Sequence, residues 1–173
     1  RLPLVQNVIL AANDQAATRA LDALGEMQRS DFVELLEAMD GLPVTIRLLD
    51  PPMHEFLPDA TELAVAEAMG TLDAHGAALA TAVHHWSEQN PMLGTRGVRL
   101  AIVRDGLYRM QVRSILRAIA ERTAAGGTPI VGIMMPLVSD VAELAMVTVV
   151  PYTLLTLPTI YSVYISVVAV LLP

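Results

Sequence analysis

The sequence contains no cysteine. That excludes a disulfide framework, thiolate metal sites and a cysteine nucleophile. It fits a reducing compartment, so a cytoplasmic location is the expectation. Lysine is missing too: all eleven basic side chains are arginine, which with the high alanine content points to GC-rich coding and carries no functional message. Charge is scarce, at 17% of residues against 54% hydrophobic, a balance that supports a sizeable core and excludes global disorder. At 173 residues the chain fits one ordinary domain, or part of an α/β barrel, which takes ~250.

Several motifs are absent as well. "RLPLVQNVILAANDQ" lacks the long apolar run and small-residue cleavage site of a signal peptide. The chain begins with Arg1, and the expectation is a piece of something longer. There is no phosphate-cradling P-loop and no Ser-His-Asp arrangement. His54-Glu55 has no second histidine four residues on, so it does not make a zinc helix. His84-His85-Trp86 reads as packing or capping at a helix end, and Met53, Met92, Met134 and Met135 read as core filler.

The net charge of −7 is unevenly spread: residues 1–95 hold four arginines against fourteen acids, and residues 96–122 hold seven against Asp105 and Glu121. A local basic cluster on an acidic chain suits a small anionic ligand and argues against nucleic acid. A solvated arginine face on one helix is the alternative.

Periodicity and breakers give an element order. Residues 14–25 and 30–40 read as two short helices, the second opened by Ser30-Asp31 with Glu34 at a capping-box spacing. "VTIRLL" (44–49) reads as a strand buried on both faces, stopped by Pro51-Pro52. Asp59 and Glu62 repeat the capping spacing and open an alanine-rich helical region to about His85, with Gly70 and Gly76 as possible breaks. "NPMLGTRG" (90–97) is a loop, and a helix follows from Gly106 to about Ala124. It places Tyr108, Val112, Ile115, Leu116 and Ile119 on one face and Arg109, Arg113 and Arg117 on another. "TPIVGIMMPLV" (128–138) is a second buried strand, followed by Ser139 or Asp140 capping a further helix. Strand, helices, strand is a βαβ pattern, which implies parallel pairing.

From Leu144 to Pro173 there is no charge. The longest proline-free run there, Thr159 to Leu172, is fourteen residues, short of the ~20 a spanning helix needs. Strands or an extended tail suit its Val, Thr, Ile and Tyr content better, so a membrane role is not expected. The expected division is therefore 1–147 as an α/β domain and 148–173 as an apolar tail.

Two arginines stand out. Arg47 lies three residues before the strand stop at Asp50-Pro51, and ligands of parallel α/β folds sit at carboxyl ends of strands. A guanidinium buried in a strand needs a partner, and its planar fork suits carboxylate or phosphate. A salt bridge to Asp50 or Glu55 would satisfy it equally. Arg96 lies between Gly94 and Gly97 in a loop, where backbone approaches a ligand closely. Arg99, three residues on, is a second anion contact or an ion-pair member.

Taken together, "EMQRSDFVELLEAMDGLPVTIRLLDPPMHEFLP", "NPMLGTRGVRLAIVRDGLYRMQVRSIL" and "GGTPIVGIMMPLV" resemble the phosphoenolpyruvate-utilising enzymes, and within that family the pyruvate, phosphate dikinase branch. The match is to the first part of the phosphoenolpyruvate-binding barrel and covers residues ~1–147. The resemblance implies a partial (β/α)8 TIM-type barrel with parallel strands, ending in an atypical apolar C-terminal tail. It also implies a fragment of an enzyme that converts ATP, pyruvate and phosphate to AMP, phosphoenolpyruvate and diphosphate. Arg47 and Arg96 match arginines that grip the substrate's phosphoryl and carboxylate groups, and Arg99 fits the same motif.

The full family enzyme uses Mg2+, a phosphohistidine domain and a homodimeric assembly. Its magnesium ligands and its acidic cysteine lie in stretches that this sequence does not match: there is no cysteine, and no acid follows Glu143. No catalytic residue and no metal ligand is expected here, and the chain is expected to be inactive alone. A non-catalytic phosphoenolpyruvate- or phosphate-binding module and a tail-anchored membrane-associated protein are the alternatives.

Overall fold

A computed structural model describes residues 2–9, 14–50, 59–85, 94–147 and 163–167. Helix α1 is Leu2–Ile9, α2 Asp14–Ala38, α3 Ala60–Ala68, α4 Ala74–His85, α5 Val98–Val103 and α6 Leu107–Ala124. A further helix, α7, covers 141–147. The strands are β1 (Pro43–Arg47), β2 (Ile130–Met135) and β3 (Val163–Val167). They form one sheet in the order β1-β2-β3, with both pairings parallel. The βαβ expectation is met, with α3 to α6 between β1 and β2.

The chain divides into two compact units, residues 1–20 with 51–96, and 21–50 with 97–173. In the first, Asp59 caps α3 by accepting the Thr61 N–H at 2.6 Å, and the amides it accepts hold its carboxyl below the usual range. The break before α4 falls at Gly70, whose φ is +66°. Gly76 lies inside α4 and breaks nothing.

The second unit carries the sheet and the main core. Two short helices were expected over 14–40, but α2 runs unbroken through Ser30 and Asp31. No proline interrupts it, and Gly25 is kept helical by packing. A Cβ there would meet Met110 Cγ at 3.0 Å and Ser114 Oγ at 3.3 Å. Glycine lets α2 close on α6, and Ser114 Oγ donates to the Gly25 carbonyl at 2.9 Å. Ion pairs flank the crossing: Arg29–Glu121 at 2.6 Å and Arg117–Glu26 at 2.8 Å. The uneven charge of the sequence is here partly resolved, since arginines of 96–122 meet acids of the preceding segment. Arg122 near Glu37, at 3.7 Å, repeats the pattern.

Helix α6 follows its sequence pattern closely. Tyr108, Val112, Ile115 and Ile119 are buried, and Arg109, Arg113 and Arg117 are exposed. The core of this unit joins Leu24 and Leu36 of α2, that face of α6, Val98 and Leu100 of α5, Ile46, Val131, Ile133 and Met135 of the two strands, and Leu48 just past β1.

The strands are not buried on both faces. In β1, Ile46 is buried, Val44 partly so, and Thr45 and Arg47 are exposed. In β2, Val131, Ile133 and Met135 are buried while Gly132 and Met134 are only half-buried. This is the alternation of a sheet covered on one side. The register pairs Thr45 with Gly132 and Arg47 with Met134, so Arg47 lies on the less covered face. The helix after β2 is capped as its spacing predicts. Asp140 accepts the Ala142 N–H at 2.7 Å, and Glu143 reaches back to the Asp140 and Ser139 N–H groups at 3.2 and 2.9 Å.

β3 lies within the expected apolar tail and adds a strand to the parallel sheet. The rest of the tail lies outside the described residues, as do Met53, His54, Glu55 and Met92. Among the described residues no helix is long and apolar enough to cross a membrane.

Candidate phosphoenolpyruvate-binding site

The carboxyl end of β1 gathers the chemistry. Backbone pairing with β2 continues one residue past the strand, with the Leu48 N–H donating to the Met134 carbonyl at 3.0 Å. Beyond it the chain is held from α6: the Leu49 N–H donates to Gln111 Oε1 at 2.8 Å, and the Leu49 carbonyl accepts from the Tyr108 hydroxyl at 3.1 Å. Burial is the main force raising the Tyr108 phenol far above its ordinary value of 10.0, with the Asp50 charge adding to it and Arg47 opposing.

Asp50 follows directly. Its side chain is 4% exposed, and its Oδ2 accepts from an Arg47 guanidinium nitrogen whose side chain is 54% exposed. The expectation of a guanidinium buried in the strand is therefore corrected. The carboxylate is the buried member, and the arginine bends from the sheet's less covered face to reach it. The local ion pair foreseen as the alternative is present. It leaves more than half of the arginine side chain open to solvent, with further N–H donors on the fork.

The other wall comes from the segment before α5 and the turn after β2. Gly97, with φ +58° and ψ −131°, opens α5. A Cβ there would meet the Pro136 carbonyl oxygen at 2.8 Å, Leu137 Cβ at 3.1 Å and Asp50 Oδ1 at 3.2 Å. The Val98 N–H donates to the same Pro136 carbonyl at 3.2 Å. Leu137 is the one non-glycine residue with positive φ, +59°, among the described residues. Such backbone, about 1–2 kcal/mol above the right-handed form, clusters near functional sites.

Arg99 engages a different carboxylate: its Nε is 3.6 Å from Glu143 Oε1. Hydrogen bonding from the Ser139 amide, more than the Arg99 charge, holds the Glu143 carboxyl below its usual range. Arg96 belongs to the first unit. It is half-buried, and its N–H donates to the Gly94 carbonyl at 3.0 Å. Of the remaining arginines of the basic segment, Arg109 lies 3.9 Å from Asp105 in an exposed pair. It also borders a cavity of about 190 Å³ with Asp105, Tyr108 and Met146, smaller than most ligand pockets. Among the described residues no three His, Asp or Glu side chains cluster as a metal site. Sequence reasoning named Asp50 as one alternative partner of Arg47 but not its burial, and it missed Tyr108 and Gln111 as supports. Helical periodicity marked Tyr108 only as core, and a lone glutamine carries no pattern of its own.

This arrangement puts a charged pair at a strand's carboxyl end in a parallel sheet, the end at which parallel α/β folds bind their ligands. The family model for "PEP-utilising enzyme, PEP-binding domain" matches residues 5–151, and the chain belongs to that family. Among curated proteins it is 45% identical over 150 residues to the chloroplastic pyruvate, phosphate dikinase of Flaveria trinervia, covering 83% of this chain and 15% of that protein. It is 47% identical over 145 residues to the pyruvate, phosphate dikinase of Rhizobium meliloti strain 1021, covering 83% and 16%. It is 41% identical over 150 residues to that of Entamoeba histolytica, covering 83% and 17%. The chain thus spans about one-sixth of the length of these relatives.

Proposed function

We propose that this chain is the first part of a dikinase phosphoenolpyruvate-binding barrel and that it holds the substrate's anionic groups at the carboxyl end of β1. The observation that carries the reading is Arg47. It sits at the strand end where ligands of parallel α/β folds bind, and its guanidinium is oriented by a buried carboxylate while staying solvent-accessible. Arg96, and Arg99 three residues on in the sequence, join Arg47 in this reading through the family resemblance. Their work is electrostatic: charge-assisted hydrogen bonds fix the substrate and stabilise the charge of the moving phosphoryl group. Asp50 holds Arg47 in place between ligands.

The full enzyme interconverts ATP, pyruvate and phosphate with AMP, phosphoenolpyruvate and diphosphate, as a cytoplasmic homodimer whose phosphohistidine domain carries the phosphoryl group. This chain on its own binds without turnover. Magnesium chemistry belongs to that full enzyme. Asp50 and Glu143 are already engaged in ion pairs and a helix cap, no acid follows Glu143, and no step is assigned to a metal held by these residues.

The test is calorimetric titration of phosphoenolpyruvate into the chain and its Arg47→Ala variant. Loss of a hydrogen-bonded charge is worth about 1.5–3 kcal/mol, so affinity falls roughly ten- to a hundredfold. No heat at millimolar phosphoenolpyruvate, or the same heat from Arg47→Ala, rejects the reading. Phosphate and pyruvate titrated separately decide which half of the substrate Arg47 holds.

A further inference from the structure

Gln111, 3% exposed, is with Ser114 one of two polar residues that α6 buries beside Tyr108. An apolar side chain of similar length would fill its place on α6 without the desolvation penalty of an amide. Its carbonyl oxygen instead takes the Leu49 N–H, while Tyr108, one helical turn earlier on the same face, gives its hydroxyl to the Leu49 carbonyl. Both backbone polar groups of one residue are thus held by two buried side chains of one helix. Leu49 is also the point where pairing with β2 has ended, since the last bond is made by Leu48. It stands between Arg47 and Asp50, the two members of the ion pair. With no ladder bond left, the path of the chain between those members is set by α6.

We infer that Tyr108 and Gln111 are positioning residues of the anion site: together they clamp Leu49 and thereby fix the Arg47–Asp50 geometry that receives the substrate. The inference rests on the reading that Arg47 grips phosphoenolpyruvate, and it adds two residues that touch no ligand. Packing alone explains the burial of Tyr108, but not a hydroxyl aimed at a backbone carbonyl outside any helix or strand.

The test uses the full chain and three variants. Gln111→Met removes the acceptor at similar length, Tyr108→Phe removes only the hydroxyl, and Ser114→Ala removes the other buried polar group of α6, which serves Gly25. Two quantities are read: amide hydrogen exchange at Leu49 by NMR, and phosphoenolpyruvate affinity by calorimetry. Gln111→Met speeds Leu49 exchange and weakens binding by about tenfold, the equivalent of one ordinary hydrogen bond. Tyr108→Phe weakens binding in the same direction and keeps the question decidable should Gln111→Met fail to fold. Ser114→Ala lowers stability and leaves affinity unchanged.

Unchanged affinity in both clamp variants, or an equal loss in Ser114→Ala, overturns the inference and reduces the two residues to core structure. Absence of binding by the unsubstituted chain overturns the parent reading instead. Leu49 exchange still judges the clamp in that case, and a Gln111→Met rate equal to that of the unsubstituted chain rejects it.

Discussion

Replacing Gly97 by alanine tests whether the wall of the site depends on close backbone approach. The perturbation has two parts. Gly97 sits at φ +58° and ψ −131°, a region that side-chain-bearing residues occupy only under strain, worth about 1–3 kcal/mol. The added Cβ would also stand 2.8 Å from the Pro136 carbonyl oxygen and 3.2 Å from Asp50 Oδ1. The first of these is backbone and the second is a buried carboxylate, so neither moves freely. Overpacking of this kind costs about 1–3 kcal/mol more. The sum, roughly 2–6 kcal/mol, is a large share of the ~5–15 kcal/mol that holds an ordinary domain together. Gly70→Ala supplies the control: its φ is +66° with nothing within 4 Å of the added Cβ, so only the conformational part applies, about 1–2 kcal/mol. Urea unfolding followed by far-ultraviolet circular dichroism measures both. A Gly97→Ala loss no greater than that of Gly70→Ala refutes the close-approach argument.

Ile115 is fully buried on α6, and truncation to alanine removes about 2–5 kcal/mol, read in the same unfolding experiment. A smaller loss means that the α6 face is not the core of its unit. The Glu143 carboxyl, held below its ordinary value of 4.5 by the Ser139 amide, stabilises the fold above that value and loses its contribution as pH falls below it. Glu143→Gln therefore lowers stability at neutral pH, and its curve converges with that of the unsubstituted chain in acid; a constant gap refutes the capping role. Tyr108 has the opposite sense. Its phenol is raised, so its contribution is complete below pH 10.0 and is lost as pH rises beyond it. Tyr108→Phe removes that alkaline loss, which a stability profile from pH 8 to about 11 checks.

What the sequence disclosed depended on which physical signal each feature leaves. Helix α6 was legible from Tyr108 to Ile119 because one uninterrupted 3.6-residue stripe is written in adjacent residues. The cap of α7 was legible because Asp140 and Glu143 satisfy local donors at fixed spacing. The same cap logic misplaced a helix start at Ser30-Asp31. Nothing there broke α2, and the decisive contact, Gly25 against Met110 and Ser114, is remote in sequence. β1 was placed correctly, but its burial was overestimated. "VTIRLL" reads as apolar throughout, whereas Thr45 and Arg47 face the side of the sheet that is less covered. Arg47 was singled out by its strand-end position, and its link to Asp50 was foreseen as one alternative. The inversion of burial between the two was not legible, because Asp50 lies close to Gly97, far along the chain. The Tyr108 and Gln111 bonds to Leu49 are tertiary contacts between residues about sixty apart, and no periodicity announces them.

The claim that β1 presents Arg47 to a substrate anion is tested most directly by NMR of the arginine guanidinium groups during titration with phosphoenolpyruvate. The account requires the Arg47 side-chain resonance, assigned by its disappearance in Arg47→Ala, to shift saturably along the same curve as the calorimetric heat. An Arg47 resonance that stays in place while phosphoenolpyruvate saturates the chain would contradict it.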